Sequence, residues 1–434
     1  MKSILIENGH LIDPAQDIDD RFNIAVIDGK IAWIGTGEPP KGDYRVIDAT
    51  GKIIAPGFID LHTHLRQPGF ENKETVSTGT NAAARGGFTT VCAMPNTSPA
   101  IDNRATVDYV KYVTSIEAAV RVLPIGCISK GRKGENLAEL GEMADAGVIG
   151  FSDDGSSVPG ARLLKQAMEY CTALDLPVIE HCEDMSLAEG GQVNEGVIAT
   201  RLGLAGIPNA AEDTIVARDI ALAELTGARL HLCHISTKGA VELIRQAKAG
   251  GIKVTAEVTP HHLTLTEDRT LGYDTNAKVN PPLRAQADID ALIEGLLDGT
   301  VDAIATDHAP HSFNDKCCEF SLAPFGISGL ETAFGSLMKL VHGGKLPLKL
   351  IIEKLTAAPV YIIGDKHGIN GSLKVGGPAD IVILDPDAEW RVDTSKFASK
   401  GKNTPLAGTT LKGKVTVTIF GGTVAYQEEN KDNT

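Results

Sequence analysis

Hydrophobic positions follow two different rhythms along this chain, and the change between them divides it. Near the start, SILIENGHLID, FNIAVIDGKIAWIGTG and YRVIDATGKII are rich in β-branched residues, alternate apolar with polar, and are punctuated by Asn-Gly, Asp-Gly and Thr-Gly pairs. Period-two alternation bounded by such pairs predicts short, half-buried strands. The end of the chain reads the same way, in GSLKVGGPADIVILDPDAEWRV and KGKVTVTIFGGTVAYQ. Two β-rich segments at opposite ends predict one small composite β-sandwich domain, built from residues 1–54 and 366–434. The last residues, EENKDNT, read as a solvated tail.

Between them, over residues 55–365, short apolar runs end in polar residues and give way to helical stretches. Eight runs stand out: IIAPGFIDLHTH, FTTVCAMPN, RVLPIGCIS, GVIGFSDDG, PVIEHCED, RLHLCHIS, KVTAEVTPH and DAIATDHAPH. The intervening stretches include ETVSTGTNAAARGG, NLAELGEMADAG, ARLLKQAMEYCTAL, AEDTIVARDIALAELTG and TKGAVELIRQAKAGG. Eight apolar strands alternating with helices predict an α/β fold, a (β/α)8 TIM barrel. There is no fixed-length repeat, which excludes a solenoid. In such barrels the C-terminal ends of the strands carry the chemistry, and the polar residues of these runs gather there.

Composition narrows the function classes. With 434 residues, 42% hydrophobic and 22% charged, the chain has material for a large soluble domain plus a small one. A formal charge of −15 argues against wrapping a nucleic acid, although a locally positive site could still take a small anion. The N-terminus does not read as a signal peptide, and no run approaches the ~18 apolar residues of a membrane span. Seven cysteines, odd in number and mostly within apolar segments, predict reduced thiols in a cytoplasmic protein. No phosphate-cradling glycine motif follows a strand.

The candidate chemistry begins in IDLHTHLRQPG. On a strand, residues two apart point to one side, so His62 and His64 would share a face, with Arg66 beyond them. The other strand ends add Asp153 and Asp154, His181, His234 and Asp307. Nitrogen and carboxylate ligands suit zinc and its neighbours. Four histidines and two carboxylates exceed one catalytic zinc, which uses three protein ligands, and would suit two metals sharing a bridging carboxylate. Taken singly, each residue reads better as structural; it is the ordered set that predicts a metal site. Strand parity turns His231, three before His234, to the other face as a packed residue. His261 and His262 read as capping or packing residues, His308 points elsewhere, and His10, His342 and His367 read as surface or packing. Asp60 either orients an imidazole or is structural, and Glu180 and Glu183 read as hydrogen-bonding residues at the rim.

The ordered set PGFIDLHTHLRQPG, AMPNTSP, GFSDDG, IEHCED, CHIS, KVNPPLR, ATDHAPH and APFGISGLET resembles the cyclic-amidohydrolase superfamily, and within it the class I dihydroorotases. The resemblance covers nearly the whole chain. It implies a zinc-dependent, reversible cyclisation of N-carbamoyl-L-aspartate to L-dihydroorotate in pyrimidine synthesis. His62, His64 and Asp307 would hold one Zn2+, His181 and His234 a second, and Asp154 would bridge, with Asp153 as the alternative. Asp307 would also carry the proton. Arg66 would take the substrate carboxylate, joined by His64, Asn96, Asn280, His311 and the backbone of Phe325 and Gly326. Hydantoinases, dihydropyrimidinases and many allantoinases bridge their metals with a carboxylated lysine, and GVIGFSDDG has none. Those activities, and a non-catalytic scaffold for aspartate carbamoyltransferase, are the rival readings. A homodimer, and association with aspartate carbamoyltransferase, are further expectations. The segment 309–329 is expected to be a lid closing through His311.

Overall fold

A computed structural model describes residues 3–365 and 367–429. Lys366 and the tail from Asn430 onward lie outside the described residues.

The middle of the chain closes into the expected barrel. Phe58–Thr63, Phe88–Ala93 and Arg121–Pro124 pair in parallel. Val178–Glu180, Leu230–Leu232, Val254–Val258 and Ala303–Ile304 form a second parallel arc. Single-residue bridges join the arcs: Phe151 pairs with Gly126 and with Val178, and Thr63 pairs with His308. The fourth run therefore contributes one ladder residue where a full strand was expected. Its polar end explains this. Asp153 takes the amides of Ile128 and Ser129, and the amide of Asp154 bonds Ser152 Oγ. The Asp153 bonds tie the polar end of the run to the segment that follows the third strand, and the ladder ends there.

Every residue of Phe58–Thr63 and Phe88–Ala93 is buried, as parallel strands must be when helices cover one face and side chains fill the other. The covering helices include Val76–Arg85, Arg104–Glu117, Ala161–Leu174, Asn209–Thr226, Lys238–Ala249 and Gln286–Asp298. Their inner faces keep helical spacing; in Ala161–Leu174 the buried residues are Leu164, Ala167, Met168 and Cys171. Polar caps set where they start, with Thr75, Asn103 and Thr237 each accepting a first-turn amide.

The two ends of the chain build one eight-stranded sheet. Ser3–Asp13 pairs antiparallel with Ile18–Ile27 and parallel with Ile53–Pro56, which in turn pairs antiparallel with Ile381–Arg391. Ile54 lies opposite Ile383, so the termini share a core that also holds Ile6, Ile24, Ile31, Val417 and Ile419. Among the described residues no helix is long and apolar enough to cross a membrane. Five cysteines are buried as free thiols, and Cys317 and Cys318 are exposed.

Candidate metal centre

The barrel brings the strand-end residues to one place. His62 is inside its strand and fully buried. His64 follows the strand end and is fixed by its amide, which donates to His308 O at 2.9 Å. His234 and Asp307 sit just past their strands in left-handed backbone, with φ of 33° and 45°. Non-glycine residues rarely adopt that conformation, and where they do the strain commonly marks a working site.

Asp154 lies at the centre. Its Oδ1 is 3.3 Å from His62 Nε2, 3.5 Å from His234 Nε2 and 3.7 Å from His181 Nδ1, and its Oδ2 is 3.5 Å from His64 Nε2. Asp307 Oδ1 lies 3.1 Å from His64 Nε2 and 3.6 Å from His62 Nε2. His181 Nδ1 and His234 Nε2 are 3.0 Å apart. Asp153 points the other way, with Oδ1 3.0 Å from both the Ile128 and Ser129 amides and its second oxygen on Ser129 Oγ.

The donor set fits divalent cations. His62, His64 and Asp307 form one compact group, and Asp154, His181 and His234 another, with ligand atoms within 4.8 Å of one another in each. His62 Nε2 and Asp154 Oδ1 are buried with no hydrogen-bond partner. Buried polar atoms are costly unless something satisfies them, and a cation between these two would do so. Cys233 makes a third group with His62 and Asp154. Burial pushes its thiol well up, towards the neutral form, which suits a packed residue better than a ligand. Burial also works to raise Asp154, but the imidazoles of His62, His234 and His64 more than reverse it and hold its carboxyl well below the usual range.

The residues expected around a substrate also line this mouth. Arg66 is partly buried, with φ of 63°, and its Nε donates to Pro310 O at 3.4 Å. Among the described residues it forms no ion pair, so its charge is free to meet an anion. It lies beyond Phe58–Thr63, and its left-handed backbone rather than strand parity sets its direction. Asn96 Oδ1 is 2.9 Å from His64 Nδ1, and Asn280 Nδ2 donates to Glu183 Oε2 at 3.1 Å. His311 Nε2 is 2.8 Å from Phe325 O, and its Nδ1 is 3.4 Å from Lys73 Nζ. Burial, then Arg66, Lys316 and Lys73, push His311 down to about 2, keeping it neutral. Gly326 has φ of 141°, and a Cβ there would meet Ala309 O at 2.7 Å. Its amide donates to Lys278 O, and its carbonyl accepts from Asn403 Nδ2. The expected lid carries a short capped helix, Phe313–Lys316.

Three residues differ from the sequence reading or were missed by it. Glu257 was not singled out, yet it touches His62 Nδ1 at 2.9 Å and His231 Nε2 at 3.1 Å. His231 therefore belongs to the network behind the site; the parity argument failed because His234, not His231, leaves the extended conformation. The signal was present in KVTAEVTPH as a lone glutamate inside an apolar strand. Glu180 is not at the rim but buried, beside Asp219, Asp153 and Arg218, and burial raises its carboxyl strongly. Asp60 accepts the His62 and Thr306 amides, tying the first and last barrel strands together, and burial moves it up to about 7.

Comparison with known proteins adds a second line of observation. A family model described as dihydro-orotase-like matches residues 51–240. A protein of Pelotomaculum thermopropionicum named dihydroorotase is 51% identical over 427 residues, covering 98% of this chain and 99% of that one. Another so named, from a Thermoanaerobacter species, is 52% identical over 435 residues, covering 99% and 98%. Among solved structures, an L-hydantoinase (dihydropyrimidinase) from Arthrobacter aurescens superposes with a TM-score of 0.88 at 28% identity, covering 99% of this chain and 97% of that one. The dihydropyrimidinase from Brevibacillus agri gives 0.83 at 23%, covering 98% and 95%, and shows the shared fold.

Proposed function

The chain belongs to the dihydroorotase family of metal-dependent cyclic amidohydrolases, and from that premise we propose that it interconverts N-carbamoyl-L-aspartate and L-dihydroorotate. It is a cyclic-amide hydrolase. The observation that carries it is Asp154 facing four imidazoles, with the unpaired Arg66 nearby.

Two Zn2+ ions would be held by His62, His64 and Asp307 on one side and by His181 and His234 on the other, with Asp154 between them. When bound, such ions lower the pKa of water from about 16 to roughly 7 and polarise a carbonyl. The protein's side chains do the rest. Arg66 orients the substrate by a forked pair of hydrogen bonds to its carboxylate. Asn96, Asn280, His311 and the backbone at Phe325 and Gly326 bound the ring and exclude water. Asp307 accepts the proton released by the attacking water. As the ring C–N bond breaks, it delivers that proton to the departing nitrogen. In the closing direction Asp307 takes the proton from the carbamoyl nitrogen and gives it to the hydroxyl that departs as water.

The domain division at residues 1–54 with 366–434 and 55–365, a homodimer, a cytoplasmic location and an association with aspartate carbamoyltransferase complete the proposal. Support for the division comes from the sheet shared by both termini. A hydantoinase-like activity is disfavoured by the absence of lysine from GVIGFSDDG and by an unpaired arginine that a neutral ring would leave unused. The test is ring opening of dihydroorotate by the zinc-loaded protein, with hydantoin and dihydrouracil as comparators. Preference for dihydroorotate is expected; turnover of the neutral rings alone would overturn the reading.

A further inference from the structure

Behind the histidines lies a polar chain that none of the proposed steps uses. Glu257, in Val254–Val258, is fully buried and faces two rings: Oε1 is 2.9 Å from His62 Nδ1 and Oε2 is 3.1 Å from His231 Nε2. The far nitrogen of His231 meets Thr255 Oγ1 at 2.9 Å. An ionised carboxylate only accepts hydrogen bonds, so both facing nitrogens carry hydrogens. A neutral His62 with its proton on Nδ1 has its lone pair on Nε2. That is the atom with no hydrogen-bond partner, 3.3 Å from Asp154 and 3.6 Å from Asp307.

We infer that Glu257, held by His231, is a positioning residue that fixes the tautomer and aim of His62 so that Nε2 is presented to a divalent cation. The inference rests on the proposed metal role of His62. A carboxylate behind a ligating imidazole both sets its orientation and makes it a stronger donor. His64 is backed differently, by the neutral amide oxygen of Asn96 at 2.9 Å. An arginine or lysine partner would neutralise Glu257 equally well, but would offer no second nitrogen towards the site. The two-ring arrangement also leaves neither carboxylate oxygen without a donor in the barrel interior.

The test uses the full chain, stripped of metal, with zinc affinity measured by competition against a chromophoric chelator. Glu257→Gln keeps the shape but can donate to Nδ1, which drives the ring proton to Nε2. One of two zinc sites should weaken by roughly 10–100-fold while the other is unchanged, and His231→Gln should give a smaller loss at the same site. Nitrogen NMR of histidine-labelled, zinc-loaded protein should show His62 protonated at Nδ1 in the wild type and at Nε2 in Glu257→Gln. Unchanged affinity at both sites, or a wild-type Nε2 proton, would overturn the inference. If Glu257→Gln does not fold, the wild-type spectrum alone decides. Failure of the wild-type protein to open dihydroorotate would defeat the proposed substrate and leave the tautomer result standing.

Discussion

His62 Nε2 lies 3.3 Å from Asp154 Oδ1, a contact across the barrel mouth between its first and fourth runs. The next aspartate along, Asp153, is buried but engaged with Ile128 and Ser129. Asp154→Asn should therefore lower metal content and cut activity by more than the roughly 10–100-fold typical of losing an outer partner. Asp153→Asn should cost about 1–3 kcal/mol of stability by disturbing buried hydrogen bonds, and leave metal content unchanged. Metal analysis with urea unfolding separates the two.

Arg66 makes no ion pair among the described residues, and its Nε meets Pro310 O. Hydrogen bonds to charged groups contribute about 1.5–3 kcal/mol, so Arg66→Met should raise KM for dihydroorotate by roughly 10–150-fold. Any slow turnover of dihydrouracil, which lacks the carboxylate, should stay the same. Parallel steady-state kinetics on both substrates check this.

Within the segment 309–329, His311 Nε2 lies 2.8 Å from the Phe325 carbonyl oxygen. His311→Ala should weaken turnover and carboxylate binding while bound zinc remains at the wild-type level. Loss of zinc from that variant would contradict the placement of His311 on the substrate side.

Lys316 sets a pH dependence. Its buried ammonium donates to Thr275 O, Lys278 O and Pro324 O at 3.0, 3.2 and 2.7 Å. Burial, then Lys278, moves it down to about 7. An unfolded lysine titrates near 10.4, so above pH 7 the unfolded chain binds more protons and stability rises with pH. The contribution is up to about 1.4 kcal/mol per pH unit. Buried thiols such as Cys171, raised to about 12, oppose this above roughly pH 8.5. Between pH 7 and 8.5, urea midpoints of the wild type should climb relative to Lys316→Met; equal slopes would refute the assignment.

Chelation should abolish activity and lower the thermal midpoint, and added zinc should restore both. A cation at a thousand times its Kd stabilises the folded state by about 4 kcal/mol, a shift readily seen by calorimetry.

Much of this was legible in the chain itself. Period-two alternation at both ends and eight apolar runs between them marked the sheet and the barrel, because burial selects residue type position by position. The candidate ligands were legible because they fall where those runs end. The sequence did not show that the fourth run would bridge its neighbours through Phe151 alone, before Asp153 bonds two amides of a neighbouring segment. Nor did it show Glu257 and His231 behind His62.

What the sequence by itself determined was the alternation of elements and the kinds of side chain at each strand end, both local properties of residue chemistry. Only the tertiary structure decided that Asp154 rather than Asp153 faces the histidines, and how Arg66, His234 and Asp307 are aimed. The period-two rule holds only while the backbone stays extended. These three residues have left-handed φ values, and closure of the barrel, not spacing along the chain, sets what each one meets.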